Sequence, residues 1–168
     1  ITDISPLSAL TNLTKLSISD GITDISPLSA LTNLTKLSII YNDKITDISP
    51  LSALTNLTFL NLRHNQITDI TALSALTNLT YLNLSNNQIT DISSLSALTN
   101  LTYLSLSHNQ ITDISSLSAL TNLTELYLDT NQITDLNLSI ELTQKYLTLS
   151  TAPIDSPTAI ETAKKLYA

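Results

Sequence analysis

The stretch LTFLNLRHNQITDITALSAL, residues 57–76, decides the reading of this chain. Leu60 and Leu62 are two apart, so they share one face of a short strand, while Phe59, Asn61 and Arg63 point the other way. Leu57, Ile67, Ile70, Leu73 and Leu76 turn inward from the rest of the same coil, which brings the aliphatic side chains to seven. Such a core is too narrow to close on itself. Its missing walls must come from neighbours of the same kind.

Those neighbours are present. Leu16, Leu37, Leu60, Leu82, Leu104 and Leu126 follow one another at spacings of 21, 23, 22, 22 and 22 residues. A leucine pattern recurring every 20 to 29 residues or roughly so marks a leucine-rich repeat solenoid, in which each coil shields the next. The short spacing comes from the turn Ser19-Asp20-Gly21-Ile22 and the long one from Tyr41-Asn42-Asp43-Lys44-Ile45. Both changes fall in surface turns, where length is tolerated.

The expected fold is α/β: a right-handed curved solenoid with a parallel β-sheet on the concave face and short 3₁₀ turns on the convex face. Ser5-Pro6, Ser26-Pro27 and Ser49-Pro50 introduce those turns, with proline at the first position and serine as the cap. Six clear coils and a degenerate seventh at Tyr146-Leu147-Thr148-Leu149 place the repeat domain at residues 1–154. Residues 155–168 read as a capping helix of the same domain, with Ser156 and Pro157 at its start, Lys164 and Lys165 near its close, and Ile160, Ala163 and Tyr167 as an apolar stripe. Nothing comparable covers Ile4, Leu7, Leu10 and Leu13, so either a missing N-terminal cap or end-to-end self-association through the uncapped N-terminal coil is expected. The start in mid-repeat at Ile1 and the absence of methionine read as a fragment or a processed product.

Composition narrows the function. The chain holds 12% charged residues and a net charge of -7, and no apolar run approaches the roughly 18 residues of a membrane span. Without cysteine there is neither a disulfide framework nor a thiolate. Seven basic residues scattered among fourteen acidic ones give no track for a nucleic acid, and the single glycine, Gly21, cannot form a phosphate loop. Asn-Leu-Thr recurs at Asn12, Asn33, Asn56, Asn78, Asn100 and Asn122, which would invite sugar on coil after coil in a eukaryotic secretory route. A bacterial or intracellular origin fits better.

Three polar positions recur with the repeat. Asn42, Asn65, Asn87, Asn109 and Asn131 follow the strand and suit a structural ladder to backbone groups left open by the turn. Asp24, Asp47, Asp69, Asp91, Asp113 and Asp135 form a row at about 5 Å intervals. Such carboxylates bond the backbone of the following turn, attract cations diffusely or hold calcium. Identical groups in identical places lack the distinct roles that an active site needs. His64 and His108 stand two coils apart with no cysteine or third histidine to complete a zinc site, and read as surface residues. No cofactor and no metal is expected.

What varies lies on the open face. One column reads Lys15, Lys36, Phe59, Tyr81, Tyr103, Glu125, Tyr146; the next Ser17, Ser38, Asn61, Asn83, Ser105, Tyr127, Thr148; the third Ser19, Ile40, Arg63, Ser85, Ser107, Asp129, Ser150. Phe59, Tyr81 and Tyr103 make an aromatic stripe, with Arg63 and His64 nearby and Tyr41 and Tyr127 on its flanks. Rigid amphipathic rings amid polar groups are the composition of a protein-binding hot spot, although same-face aromatics also stabilise a sheet unaided. The partner-binding set is therefore Tyr41, Phe59, Arg63, Tyr81, Tyr103, Glu125, Tyr127 and Asp129.

Leu79-Thr-Tyr-Leu82-Asn-Leu84-Ser-Asn-Asn87-Gln-Ile89-Thr-Asp91-Ile92-Ser-Ser-Leu95 resembles the 22-residue repeats of bacterial internalins and of the nuclear regulatory subunit of protein phosphatase 1. Thr-Asn-Leu-Thr with Asn-Gln-Ile-Thr-Asp-Ile is more similar to the internalin branch. That resemblance implies a concave face gripping a host surface protein through Phe59, Tyr81, Tyr103 and Tyr127. The expected function is a non-enzymatic protein-binding module, secreted or on the surface of a bacterium. The alternatives are a spacer without a specific ligand and a phosphatase regulator, with the cytoplasm as the other location.

Overall fold

The structure is a computed structural model that describes residues 2–133. The seventh coil, Asp135 and the capping helix expected at 155–168 lie outside the described residues. Within them, six strands form one parallel sheet in chain order: β1 Lys15–Ser19, β2 Lys36–Ile40, β3 Phe59–Asn61, β4 Tyr81–Asn83, β5 Tyr103–Ser105 and β6 Glu125–Tyr127. Each strand pairs with the next in the register that the repeat dictates, Leu16 with Leu37, Leu37 with Leu60, and so on to Leu126. The opposite, convex side carries six five-residue 3₁₀ turns, Ser5–Ala9, Ser26–Ala30, Ser49–Ala53, Thr71–Ala75, Ser93–Ala97 and Ser115–Ala119.

Between sheet and turns runs a continuous aliphatic core. Leu57, Leu60, Leu62, Ile67, Ile70, Leu73 and Leu76 are all buried, as are their equivalents in the coils on either side. The first coil is different. Leu7, Leu13, Leu16 and Ile18 are only partly buried and Leu10 is 50% exposed, because among the described residues this coil has a neighbour on one side only.

Serine does not cap the 3₁₀ turns, contrary to the sequence reading. The residue before each turn is an isoleucine with no side-chain bond to offer, and the serine is already the first residue inside. Its N–H is a donor in need of an acceptor. The preceding aspartate supplies one: Ser26, Ser49, Thr71, Ser93 and Ser115 donate their N–H to Oδ1 of Asp24, Asp47, Asp69, Asp91 and Asp113, each at 2.8 Å.

Two further ladders stitch coil to coil, and both come from the Asn-Leu-Thr motif. Asn33, Asn56, Asn78, Asn100 and Asn122 donate through Nδ2 to a threonine carbonyl one coil back, all at 2.9 Å. The threonine two positions later, from Thr35 to Thr124, donates its hydroxyl to the carbonyl of its counterpart one coil back at 3.0–3.2 Å. The motif recurs because the backbone of each coil uses the side chains of the next.

The turn asparagines work the same way, and Asn42, Asn65, Asn87 and Asn109 are buried. Oδ1 of Asn87 accepts the N–H of Ile67, and Nδ2 donates to the carbonyls of Leu62 and Leu84. Asn42, Asn109 and Asn131 likewise accept from Ile22, Ile89 and Ile111. Asn65 is the exception, 7% exposed and with no partner for Oδ1. Its counterpart donor, the N–H of Ile45, is drawn to the carbonyl of Asn42 at 3.2 Å, because the lengthened turn puts two residues between Asn42 and Ile45 where other coils have one.

Candidate protein-binding face

The three variable columns stand side by side on the sheet. Lys36 pairs with Phe59, Phe59 with Tyr81, Tyr81 with Tyr103 and Tyr103 with Glu125, which lines up the first column. Parallel pairing sets neighbouring strands about 4.8 Å apart, close to the thickness at which rings stack. The rings do so. Phe59 and Tyr81 have centroids 4.3 Å apart at 11°, and Tyr81 and Tyr103 are 4.2 Å apart at 9°.

At β6 the first column changes to Glu125, and the aromatic line crosses to the second. Tyr127 lies 5.5 Å from Tyr103 at 42°, and its hydroxyl donates to Glu125 Oε2 at 3.1 Å. At the other end Lys36 Nζ lies 6.0 Å from the centroid of Phe59. The ladder therefore runs from a cation through three parallel rings to a tilted fourth. Burial, helped by the neighbouring Tyr81, pushes the Tyr103 phenol up to about 12, so it remains a neutral donor at any physiological pH. The hydrogen bond to Glu125 likewise raises Tyr127.

A second cluster forms on the rim. Tyr41, 43% exposed, stacks on His64 with centroids 4.6 Å apart, and the Arg63 guanidinium lies 5.2 Å from its ring centroid while donating to its hydroxyl. Partial burial, and secondarily the charge of Arg63, lowers the pKa of His64. Asp129 completes the far side, accepting from the Ser107 hydroxyl and lying 3.8 Å from His108 Nε2, an ion pair whenever that imidazole is protonated. All eight residues expected to bind a partner thus fall on this face or its rim: Phe59, Tyr81, Tyr103 and Tyr127 in one line, Tyr41 and Arg63 in another group, Glu125 and Asp129 at the β6 end.

Sequence reasoning missed two features of the face. The central polar residues Asn83, Ser85, Ser105 and Ser107 are buried, and Asn83 Oδ1 takes both the N–H and the hydroxyl of Ser85. The second is a backbone role for the histidines. Asp20, Tyr41, His64, Asn86, His108 and Thr130 all have φ between 54° and 59°, the left-handed conformation with which each coil leaves its strand. Asn, Asp and His tolerate that region best among residues with a Cβ. The recurrence of those types before the turn asparagine was the available signal.

The aspartate row on the convex side acts on the backbone. Among the described residues no three of His, Asp and Glu come together as a metal site. The hydrogen bonds from the following serine lower the pKa of Asp24, Asp47, Asp91 and Asp113, the hydroxyl of Ser26 contributing most at Asp24 and the backbone N–H at the others. A carboxylate whose pKa is depressed on folding gives stability above its unfolded value near 3.9 or so, and loses it as pH falls through the folded value. The aspartates' share of stability is therefore expected to be flat above about pH 5 and to fall on acidification below about pH 4, while the lowered His64 adds a separate, smaller loss as pH falls below about 6.5. Asp91→Asn, which keeps an acceptor oxygen, is expected to shrink that acid limb in thermal melts followed by circular dichroism; an unchanged limb contradicts the assignment.

The model of the family described as leucine-rich repeats (2 copies) matches residues 11–53, 55–97 and 99–140. Among solved structures the chain is similar to an internalin, InlF, from Listeria monocytogenes, with 37% identity over 90% of this chain and 52% of that one, at a TM-score of 0.74. Internalin C2 from the same organism shares 42% identity over 83% of this chain and 63% of its own, at a TM-score of 0.75. A leucine-rich repeat protein of Leptospira interrogans shares 27% over 95% of this chain and 36% of its own, at 0.69. The chain thus spans about half of the first and under two thirds of the second. No curated protein is matched.

Proposed function

The chain belongs to the leucine-rich repeat family, with repeats of internalin type, and from that premise we propose that it binds a protein partner through the concave face. Proteins of this repeat fold are characteristically non-catalytic scaffolds, and this chain is one. The observation that carries the binding reading is the half-buried ladder Phe59–Tyr81–Tyr103–Tyr127, ordered by its own stacking before any partner arrives. Pre-ordered rings lose little freedom on binding, which is what favours tyrosine in paratopes. Likeness to bacterial internalins supports secreted or surface placement in a bacterium. Among the described residues no helix is long and apolar enough to cross a membrane.

The double change Tyr81→Ala and Tyr103→Ala tests this reading. Partner capture from host extracts is expected to weaken by about 2 kcal/mol or more, roughly thirtyfold, as for loss of a hot spot. Stability is expected to change by only about 1 kcal/mol per lost ring pair, the value of cross-strand aromatics. Capture that is absent, or indifferent to the change, favours the spacer. The phosphatase-regulator alternative rests on the repeat class alone, since the similar structures named above are bacterial repeat proteins.

A further inference from the structure

We infer that the concave face is charge-ordered along the solenoid and takes an elongated polypeptide element, acidic near one end and basic near the other. This rests on the protein-binding reading and adds the partner's chemistry to it. Within the three columns, the charged residues on described strands and their ends are Lys15, Lys36 and Arg63 on the β1–β3 side and Glu125 and Asp129 at β6. None comes from β4 or β5. A complementary partner must reverse that order, since like charges brought together at an interface are strongly disfavoured.

The middle of the face determines what lies between those charges. Phe59, Tyr81 and Tyr103 turn their ring faces to one another, and the two outer faces of the stack are met by Lys36 and Tyr127. What remains for a ligand is a ridge of ring edges with two phenol hydroxyls. Ring edges carry partial positive charge and favour carbonyl oxygens, aromatic faces and aliphatic groups. A sugar ring or nucleobase stacks on a free face, which the stack of Phe59, Tyr81 and Tyr103 does not offer. Oδ1 of the buried Asn83 is already taken by the N–H and hydroxyl of Ser85.

The geometry also sets a length. Lys36 and Glu125 stand four strand steps apart, from β2 to β6, which corresponds to about 19 Å. An extended segment of about six residues or a helix of about thirteen spans that distance.

Three synthetic helical peptides of about thirteen residues with one shared apolar centre make the probe. Their two ends carry Glu and Lys, Glu and Glu, or Lys and Lys. Fluorescence polarisation with the whole chain is expected to rank the Glu/Lys peptide first, by about fivefold, with the advantage fading at high salt. Lys15→Glu with Lys36→Glu, both exposed positions, is expected to move the preference to the Lys/Lys peptide. Equal binding of all three, binding of none, or an unmoved preference in a variant with unchanged circular dichroism overturns the inference. So does tighter binding of cellohexaose than of any peptide. Binding that needs Tyr81 and Tyr103 but ignores charge order overturns this inference alone and leaves the protein-binding reading standing.

Discussion

Leu82→Ala is expected to remove about 2–5 kcal/mol of stability, read as a lower midpoint in urea unfolding followed by circular dichroism. Leu82 is fully buried at the centre of β4, with Leu60 and Leu104 as its strand partners. Those neighbours are fixed by the ladders of their own coils and cannot close over the gap. The cavity term therefore adds to the lost transfer energy. Leu10→Ala is the control: Leu10 is 50% exposed in the edge coil, and its truncation is expected to cost about 1 kcal/mol or less. Similar losses at the two sites contradict a core held by its neighbours.

Asn87→Ala is expected to cost about 2–4 kcal/mol, because it leaves the buried Ile67 N–H without an acceptor and the Leu62 and Leu84 carbonyls short of a donor. Asn65→Ala makes a paired comparison within one molecule. Oδ1 of Asn65 already has no partner, so this change breaks only the Nδ2 bonds to the Ile39, Leu62 and Arg63 carbonyls. Under-satisfied carbonyls are borne more easily than orphaned N–H groups. The Asn65 variant is therefore expected to be milder by about 1 kcal/mol. Equal losses in denaturant melts show that the accepting half of the ladder contributes nothing.

The fold was legible because a single coil states its own constraint. The alternation at Leu60 and Leu62 and the spacing of their counterparts fix the strands, their parallel register and the burial of Leu57 through Leu76. The three columns followed from that register alone. Side-chain donors reaching another coil were harder to see. The cap residue is Asp24 instead of Ser26 because isoleucine occupies the N-cap, and a pattern of residue types does not show where a turn begins to the residue. Asn33 and Thr35 looked like a glycan acceptor motif, although their bonds to the preceding coil account for them fully. The ladder of rings was visible as a stripe, while the step from column one to column two at Tyr127 depends on ring tilt. Nor does spacing tell that Asn83 and Ser105 sink beneath the rings beside them.

The longer corner between Asn42 and Ile45 shows where this protein tolerates growth. An added residue there leaves the pairing of β2 with β3 in register and takes away one bond, the one to Asn65 Oδ1. Guest segments spliced between Asp43 and Lys44 would accordingly project from the lip of the sheet next to Tyr41, with the coils above and below left in phase. Diversity at this corner can accumulate independently of the residues that line the concavity.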